Sequence, residues 1–120
     1  MKKPNKKSIK IAISSSSDNI EGSIDSRFGR CSFFLIITLE DGKITDVKAI
    51  ENNQRNMQGQ VGIVIAQMLA KEDIDTVITE NIGPRALDVL SQFQISVFKG
   101  EGTIKDSIKC FKDNKLEQIG

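Results

Sequence analysis

The chain has 120 residues, a length typical of one domain, and its net charge of +1 gives no electrostatic footprint for nucleic acid. It contains no histidine, which excludes imidazole-based metal sites, Ser-His-Asp and Cys-His nucleophiles and imidazole acid–base catalysis. Tryptophan and tyrosine are also absent, and six phenylalanines are little material for stacking on nucleic-acid bases.

The first residues form a segment of their own. The sequence MKKPNKK holds four lysines, and it predicts a flexible, solvated basic tail over residues 1–8, with a phosphate-binding arm as the alternative. Residues 9–120 are expected to fold as a single domain. Apolar runs are too short for a membrane span or a signal peptide, and two cysteines are too few for a disulfide framework. We therefore expect a cytoplasmic protein that binds no membrane.

Strand patterns open the domain. Alternation of apolar and other residues over Ile9–Ile13 predicts a first strand. The second run, Phe33–Leu39, is apolar almost throughout and should be covered on both faces. Asp41-Gly42 then favours a type I′ hairpin turn, because both central residues of that turn need positive φ. The return strand is Ile44–Ile50, whose charged residues are typical of a sheet edge.

The second half of the chain alternates helices with strands. Strands are predicted at Asp75–Thr79 and Ile95–Phe98. Pro84 suits the first position of the second helix, and Thr103 with Asp106 predicts the cap of the third. Three apolar stripes of helical spacing are Val61, Val64, Ile65, Met68 and Leu69; Ala86, Val89, Leu90 and Phe93; and Ile104, Ile108 and Phe111.

The element order β-β-β-α-β-α-β-α predicts an α/β fold. It is a three-layer α/β/α arrangement around a five-stranded mixed sheet in the order 3-2-1-4-5. Strand 2 is antiparallel because the first three strands form a meander, and right-handed crossovers place strands 4 and 5 parallel to strand 1. Helices 1 and 2 then share one face of the sheet, and helix 3 covers the other.

The connection between the first two strands, Ser14–Arg30, is far longer than a hairpin loop and is the first candidate site. Its first half is rich in hydroxyl groups, and its second half brings Arg27 and Arg30 close to Cys31. Two guanidinium groups beside a thiol favour the thiolate, which is the form that binds soft metals. The alternative is that Cys31 is a small buried hydrophobe and that the arginines are solvated.

The turn Glu80–Arg85 is the second candidate site. Gly83-Pro84 begins a helix there with free backbone N–H groups, which suit an anion, although an ordinary β-α turn is the alternative. If strands 1 and 4 are parallel neighbours, both loops emerge at one edge of the sheet and form a ligand crevice. The predicted ligand-binding residues are Ser14, Ser15, Ser16, Arg27, Phe28, Gly29, Arg30, Asn81, Ile82, Gly83 and Pro84, with Cys31 as the metal ligand.

Three weaker signals have ordinary explanations. The glycines of Gly59–Gly62, which opens helix 1, could let a ligand approach the backbone, but one such pattern is weak. Cys110 lies among the inward residues of helix 3 and is expected in the core. Asp18, Asp25 and Glu80 could form a carboxylate set for metal-dependent hydrolysis, although scattered loop carboxylates are usually solvated.

Several motifs together resemble the dinitrogenase iron–molybdenum cofactor biosynthesis family. They are Ile9–Ser14, Ser26–Cys31 with its Phe-Gly-Arg, Asn81–Ala86 with its Ile-Gly-Pro, and Gly102–Ile104, and the resemblance runs from about Ile9 to Ile119. It implies a nitrogenase accessory factor-like domain with a ribonuclease H-like mixed sheet. It also implies binding of iron–molybdenum cofactor precursors or related metal–sulfur clusters without turnover.

One position departs from the family pattern. Gln58 stands where many members carry a histidine, so binding through imidazole is excluded. We expect a non-enzymatic carrier of an iron–sulfur or molybdenum-containing cluster. The cluster is not expected to stay tightly bound during purification in air. The carrier should be a monomer or weak homodimer that exchanges the cluster with donor or acceptor proteins. A protein-interaction or regulatory module with the same fold and no metal is the alternative, and a metal-dependent hydrolase is a third.

Overall fold

A computed structural model of the chain describes residues 8–120, so the predicted tail lies outside the described residues except for Ser8, which begins the first strand. The elements in chain order are β1 (Ser8–Ser15), β2 (Phe33–Glu40), β3 (Lys43–Glu51), α1 (Val61–Ala70), β4 (Thr76–Thr79), α2 (Pro84–Gln92), β5 (Ser96–Lys99), α3 (Ile104–Lys112) and β6 (Glu117–Gln118). Across the described residues, every helix is too short or too polar to cross a membrane.

The strands form one mixed sheet in the order β3-β2-β1-β4-β5-β6. β2 is antiparallel to β1 and β3, and β4 is parallel to β1 and β5. The predicted order of the first five strands is therefore confirmed. The sixth strand lies antiparallel beside β5 and was not predicted, because two residues are too few to show any alternation.

The continuous apolar run of β2 is covered on both faces, as predicted. Phe34 and Ile36 lie in a core beneath α1 and α2, whereas Leu35 and Ile37 lie in a second core beneath α3. Two helices therefore share one face of the sheet, and α3 covers the other. β3 lies at the edge and is exposed along most of its length.

The local signals for turns and helix starts are confirmed. Asp41 and Gly42 both have positive φ, 53° and 81°, as the hairpin turn requires. Pro84 is the first residue of α2. The Thr103 hydroxyl accepts a hydrogen bond of 3.1 Å from the N–H of Asp106 and so caps α3.

Two predicted core residues lie elsewhere. Phe93 is 56% exposed, because α2 ends at Gln92 and Phe93, its C-cap, has left the helical conformation. Cys110 is only half-buried and belongs to neither core. The Phe93 prediction extended a helical stripe beyond the end of α2, whereas Cys110 lies within α3 but outside the cores.

Candidate functional site

The hydroxyl-rich half of the predicted β1–β2 connection serves the fold itself, and its first two residues, Ser14 and Ser15, belong to β1. Ser14 and Ser15 are fully buried. The Ser14 hydroxyl lies 2.8 Å from the Thr79 hydroxyl and donates to the Asp25 carbonyl at 2.9 Å. Ser16 is exposed, but it lies outside the cleft described below. Two of these hydroxyls are satisfied inside the protein and the third lies away from the cleft, so binding of the ligand by these three serines stays a prediction.

The second half of the same connection lies beside the end of β4. The N–H of Phe28 donates to the Asn81 carbonyl at 3.1 Å, and the N–H of Asn81 donates to the Ser26 carbonyl at 2.9 Å. The predicted meeting of the two loops at the carboxyl ends of β1 and β4 is therefore present.

An open cleft of about 590 Å³ lies between these loops and the starts of α1 and α2. The cleft is lined by Arg27, Phe28, Gly29, Arg30, Gln60, Val61, Gly62, Ile63, Asn81, Ile82, Gly83, Pro84, Arg85 and Ala86. Eight of the predicted ligand-binding residues come together there: the four from Arg27 to Arg30 and the four from Asn81 to Pro84. The start of α1, Arg85 and Ala86 also line the cleft; they were not among the predicted ligand-binding residues, although Arg85 belongs to the candidate turn and Gly59–Gly62 gave a weak signal.

Two glycines allow α1 to form one wall of the cleft. A Cβ atom on Gly29 would lie 2.9 Å from Cγ1 of Val61, so a larger residue would push the loop away from the helix. A Cβ atom on Gly62 would lie 3.2 Å from the Cβ of Ala86, which shows how closely α1 and α2 approach at the cleft. The close approach at Gly62 is to α2, and approach of a ligand or strand to the backbone of Gly59–Gly62 stays a prediction.

Both helices that face the cleft begin without a cap. Their N-cap residues, Gln60 and Gly83, make no side-chain cap hydrogen bond, and neither first turn contains an acidic residue. α3, which does not face the cleft, has a capping threonine and an aspartate in its first turn. The first N–H groups of a helix have no acceptor within it. Those of Val61–Ile63, Arg85 and Ala86 donate to no acceptor within residues 8–120.

Three arginines line the cleft, and no acidic residue of the described chain does. Arg27 is exposed and forms a 3.4 Å ion pair with Asp25. Arg30 donates from Nη1 to the carbonyls of Arg55 and Met57, at 2.7 and 2.6 Å, and so holds the loop that leads into α1. Arg85 is exposed. The charge of the lining is therefore positive only.

Asn52 is a buried residue of this region that sequence reasoning missed. It is 1% exposed, and its Nδ2 donates to the carbonyls of Gly29 and Cys31 at 3.1 and 2.9 Å. It thereby ties the loop after β3 to the segment that forms the cleft. A single asparagine after a strand carries no sequence signal for such a role.

The predicted thiolate at Cys31 is contradicted by the structure. The side chain is 0% exposed, and Sγ donates to the Phe28 carbonyl at 3.6 Å. Burial raises the pKa of the Cys31 thiol from 9.0 to about 12, so the thiol is neutral at physiological pH. The alternative, a small buried hydrophobe, is what the structure shows.

The predicted carboxylate set is not assembled either. Within residues 8–120 there is no group of three or more histidine, cysteine, aspartate or glutamate side chains that could hold a metal ion. Asp18, Asp25 and Glu80 therefore do not form a centre for metal-dependent hydrolysis.

The fold and the cleft define an α/β domain of a known family. Residues 7–114 match the family described as "Dinitrogenase iron-molybdenum cofactor", and the chain belongs to this family. The resemblance seen in the sequence motifs is thereby confirmed, and the chain is connected to the iron–molybdenum cofactor by its family.

Two relatives and a solved structure are similar to this chain. An uncharacterized protein of Methanocaldococcus jannaschii is 40% identical over 93 residues, which are 77% of this chain and 79% of the relative. A second uncharacterized protein of that organism is 30% identical over 112 residues, 92% of this chain and 94% of the relative. The apo form of the orange protein from Desulfovibrio gigas superimposes with a TM-score of 0.84 at 24% identity over 92% of both chains, which shows a shared fold.

Proposed function

We propose that this chain carries an anionic metal–sulfur cluster, or a precursor of the iron–molybdenum cofactor, in the cleft and releases it chemically unchanged. The observation that carries the proposal is the convergence of two uncapped helix starts and three arginines on one cleft without a carboxylate. The family supports the class of cargo, since it is described by the iron–molybdenum cofactor.

The polar part of the cleft suits an anion rich in hydrogen-bond acceptors. Each helix start carries roughly half a positive charge from its unsatisfied N–H groups, and two of them meet here. Backbone N–H groups arranged in this way bind phosphates and iron–sulfur sites in other proteins. The sulfides of a metal–sulfur cluster accept such hydrogen bonds, and Arg27 and Arg85 add full positive charges at the rim.

Apolar side chains make up much of the rest of the cleft. Phe28, Val61, Ile63 and Ile82 contribute apolar side chains to the lining. An apolar shell lowers the local dielectric constant, which strengthens the attraction between the arginines and an anion. The same shell protects a sulfide cluster from hydrolysis.

The cargo is held without a covalent metal–ligand bond. Cys31 is buried outside the lining, with a pKa raised by that burial, and among the described residues the lining contains no thiol, imidazole or carboxylate. Binding by charge and hydrogen bonds leaves the coordination of the metal untouched. The cargo can then pass to an acceptor protein without a ligand-exchange step in the carrier.

The test is an anaerobic titration with tetrathiomolybdate, a simple anionic metal sulfide, followed by metal analysis of the protein fraction. We expect saturable binding by the unmodified protein and a loss of about 10- to 100-fold in affinity for the double variant Arg27→Ala/Arg85→Ala, since hydrogen bonds to charged groups are removed.

The matched control is Arg55→Ala, which removes the same kind of charge from an exposed residue that does not line the cleft. Its affinity should equal that of the unmodified protein. Equal affinity for all three proteins, or no binding of tetrathiomolybdate and of an assembled iron–sulfur cluster, would contradict the proposal and favour an interaction module without metal.

A further inference from the structure

β3 is the long edge strand of the sheet, and within the described residues its outer side has no neighbouring strand. β3 spans nine residues, Lys43–Glu51, and among residues 8–120 it pairs with β2 alone. The opposite edge of the sheet is β6, which has only two residues. Exposed strand edges present unpaired N–H and C=O groups, which form a template for another strand. β3 is therefore the place where this sheet can be extended.

The two faces of β3 differ in chemistry. Residues directly opposite each other in an antiparallel pair point to the same face of the sheet. Ile44, Val47 and Ala49 are opposite β2 residues that belong to the core beneath α3, so they share that face. Ile44 and Val47 are 40% and 38% exposed, which is high for large apolar side chains. The part of this face beyond α3 is thus an uncovered apolar stripe.

The other face of β3 carries opposite charges two residues apart. Asp46 and Lys48 are opposite Thr38 and Ile36 and point to the face that α1 and α2 cover. Lys48 makes an exposed ion pair of 3.4 Å with Glu72, and Asp46 has no salt bridge with the described residues. One residue, Val47, separates the two charges. If two β3 strands pair antiparallel with their Val47 residues opposite each other, the negative charge of each strand therefore faces the positive charge of the other.

We propose that a second copy of this chain docks on β3, antiparallel and with a two-fold axis at Val47, to form one continuous sheet. In this register, Val47 faces Val47 of the partner subunit, and Asp46 faces Lys48 of the partner subunit. By symmetry the charge pair forms twice. Charge complementarity in one defined register is what selects a second copy rather than an unrelated strand.

The bulge in β3 extends the match on the apolar face. The pairing with β2 shifts between Thr38 and Leu39, so Thr45 is an extra residue without a partner in β2. Skipping Thr45 in the new pair brings Ile44 opposite Ala49 of the partner subunit, on the face of Val47. The apolar stripe then continues across the two-fold axis. A lysine and a bulge usually discourage pairing at a strand edge. In the proposed register, however, Lys48 lies opposite the carboxylate of Asp46 of the partner subunit.

The dimer leaves both clefts open. No residue of β3 lines the cleft, so docking at β3 covers none of the proposed cargo site. Association and cargo binding can therefore be measured separately, and a failure of one proposal says nothing about the other.

The test is sedimentation equilibrium over a wide range of protein concentration. We expect a monomer–dimer equilibrium for the unmodified chain. Asp46→Lys places two lysines opposite each other twice and should weaken the dimer by about tenfold or more. The charge swap Asp46→Lys/Lys48→Asp should restore it. Asp88→Lys, which makes the same charge change on the exposed side of α2, should leave the equilibrium unchanged.

A second measurement does not depend on the folding of variants. Amide resonances of the unmodified protein should shift with concentration, and the shifts should concentrate in residues 43–51. The proposal is overturned if the protein stays monomeric at millimolar concentration, if shifts concentrate elsewhere, or if the folded charge swap fails to restore the dimer that Asp46→Lys weakens.

Discussion

At the scale of single residues, the pKa of the Cys31 thiol depends more on its burial than on the arginines that are close to it in the sequence. Arg27 and Arg30 are close to it along the chain, but Arg27 pairs with Asp25 and Arg30 reaches the carbonyls of the following loop. The thiol itself points into the core, where an ion loses its hydration. Loss of hydration is therefore the largest influence on its protonation, and it favours the neutral thiol.

Cys31→Ala should leave cargo binding intact. Because the thiol is buried and packs in the core, the substitution should lower the free energy of unfolding by about 1–3 kcal/mol without altering the cleft. Urea unfolding and the anaerobic titration with tetrathiomolybdate measure the two effects. Cys110→Ser, on a half-buried residue, is the control. If the folded Cys31→Ala protein no longer binds tetrathiomolybdate, the Cys31 thiol is a metal ligand after all.

The raised pKa of Cys31 predicts a specific loss of stability in alkali. The unfolded chain releases the thiol proton near pH 9.0 and the folded chain only near pH 12, so the native state holds more protons between these values. The stabilisation is complete below pH 9 and is lost as pH rises toward 12, by about 3–4 kcal/mol in total.

This loss is measured as the difference in unfolding free energy between the unmodified protein and Cys31→Ala at a series of pH values. Other titrating groups are common to both proteins and cancel in the difference. Two curves that remain parallel from pH 8 to pH 11 would show that Cys31 titrates alike in both states.

At the scale of elements, the starts of α1 and α2 give up stability that a cap would supply. A good N-cap contributes about 0.5–2 kcal/mol to a helix, and α3 has one. The two helices at the cleft lack it, and their first N–H groups stay available. This pattern is what a ligand site requires, because a capping side chain would compete for the same N–H groups.

Gly83→Asp should therefore raise stability and weaken binding at once. Gly83 has an extended conformation, and a Cβ atom there meets nothing within 4 Å, so a side chain fits. The carboxylate should cap α2 for a gain of roughly a few tenths of a kcal/mol over glycine and repel an anion in the cleft. Thermal unfolding measures the gain in stability, and the tetrathiomolybdate titration measures the loss of affinity.

Gly83→Asn is the matched variant, since asparagine caps about as well and carries no charge. It should gain similar stability and lose less affinity than Gly83→Asp. Unchanged affinity in both variants would mean that the start of α2 does not contact the anion.

The strands and turns could be predicted because their signals are local. The Asp41-Gly42 turn fixes the hairpin, and the continuous apolar run of β2 identifies a strand covered on both faces. The short β6 could not be predicted, because it exists only through its pairing with β5. Phe93 was misplaced for a related reason, since periodicity continues in the sequence beyond the end of the helix.

The site could be predicted only in part, because composition does not reveal where a polar group finds its partner. The hydroxyl of Ser14 looked available and is instead bonded to Thr79. The wall made by Gln60–Ile63 was underestimated, since the importance of Gly62 lies in its close approach to Ala86, 24 residues further along. Such contacts are set by the packing of α1 on α2.

At the scale of the whole molecule, the parallel pairing of β1 with β4 brings the functional parts together. It places the loop after β1 and the turn after β4 at one edge, where α1 and α2 also begin and present their positive ends. The edge formed by β3 lies outside the cleft, so a partner copy and a cargo have separate places. The proposed cargo site and the proposed dimer edge therefore do not share residues.

The central claim is that the cleft holds an anionic metal–sulfur cargo without a covalent ligand, and amide NMR during an anaerobic titration with tetrathiomolybdate tests it most directly. We predict that the largest shifts occur at the amides of residues 27–30, 60–63, 81–83, 85 and 86, and that Cys31→Ala shows the same shifts. Shifts confined to the lysines of residues 1–7, or concentrated around Cys110, would contradict the claim.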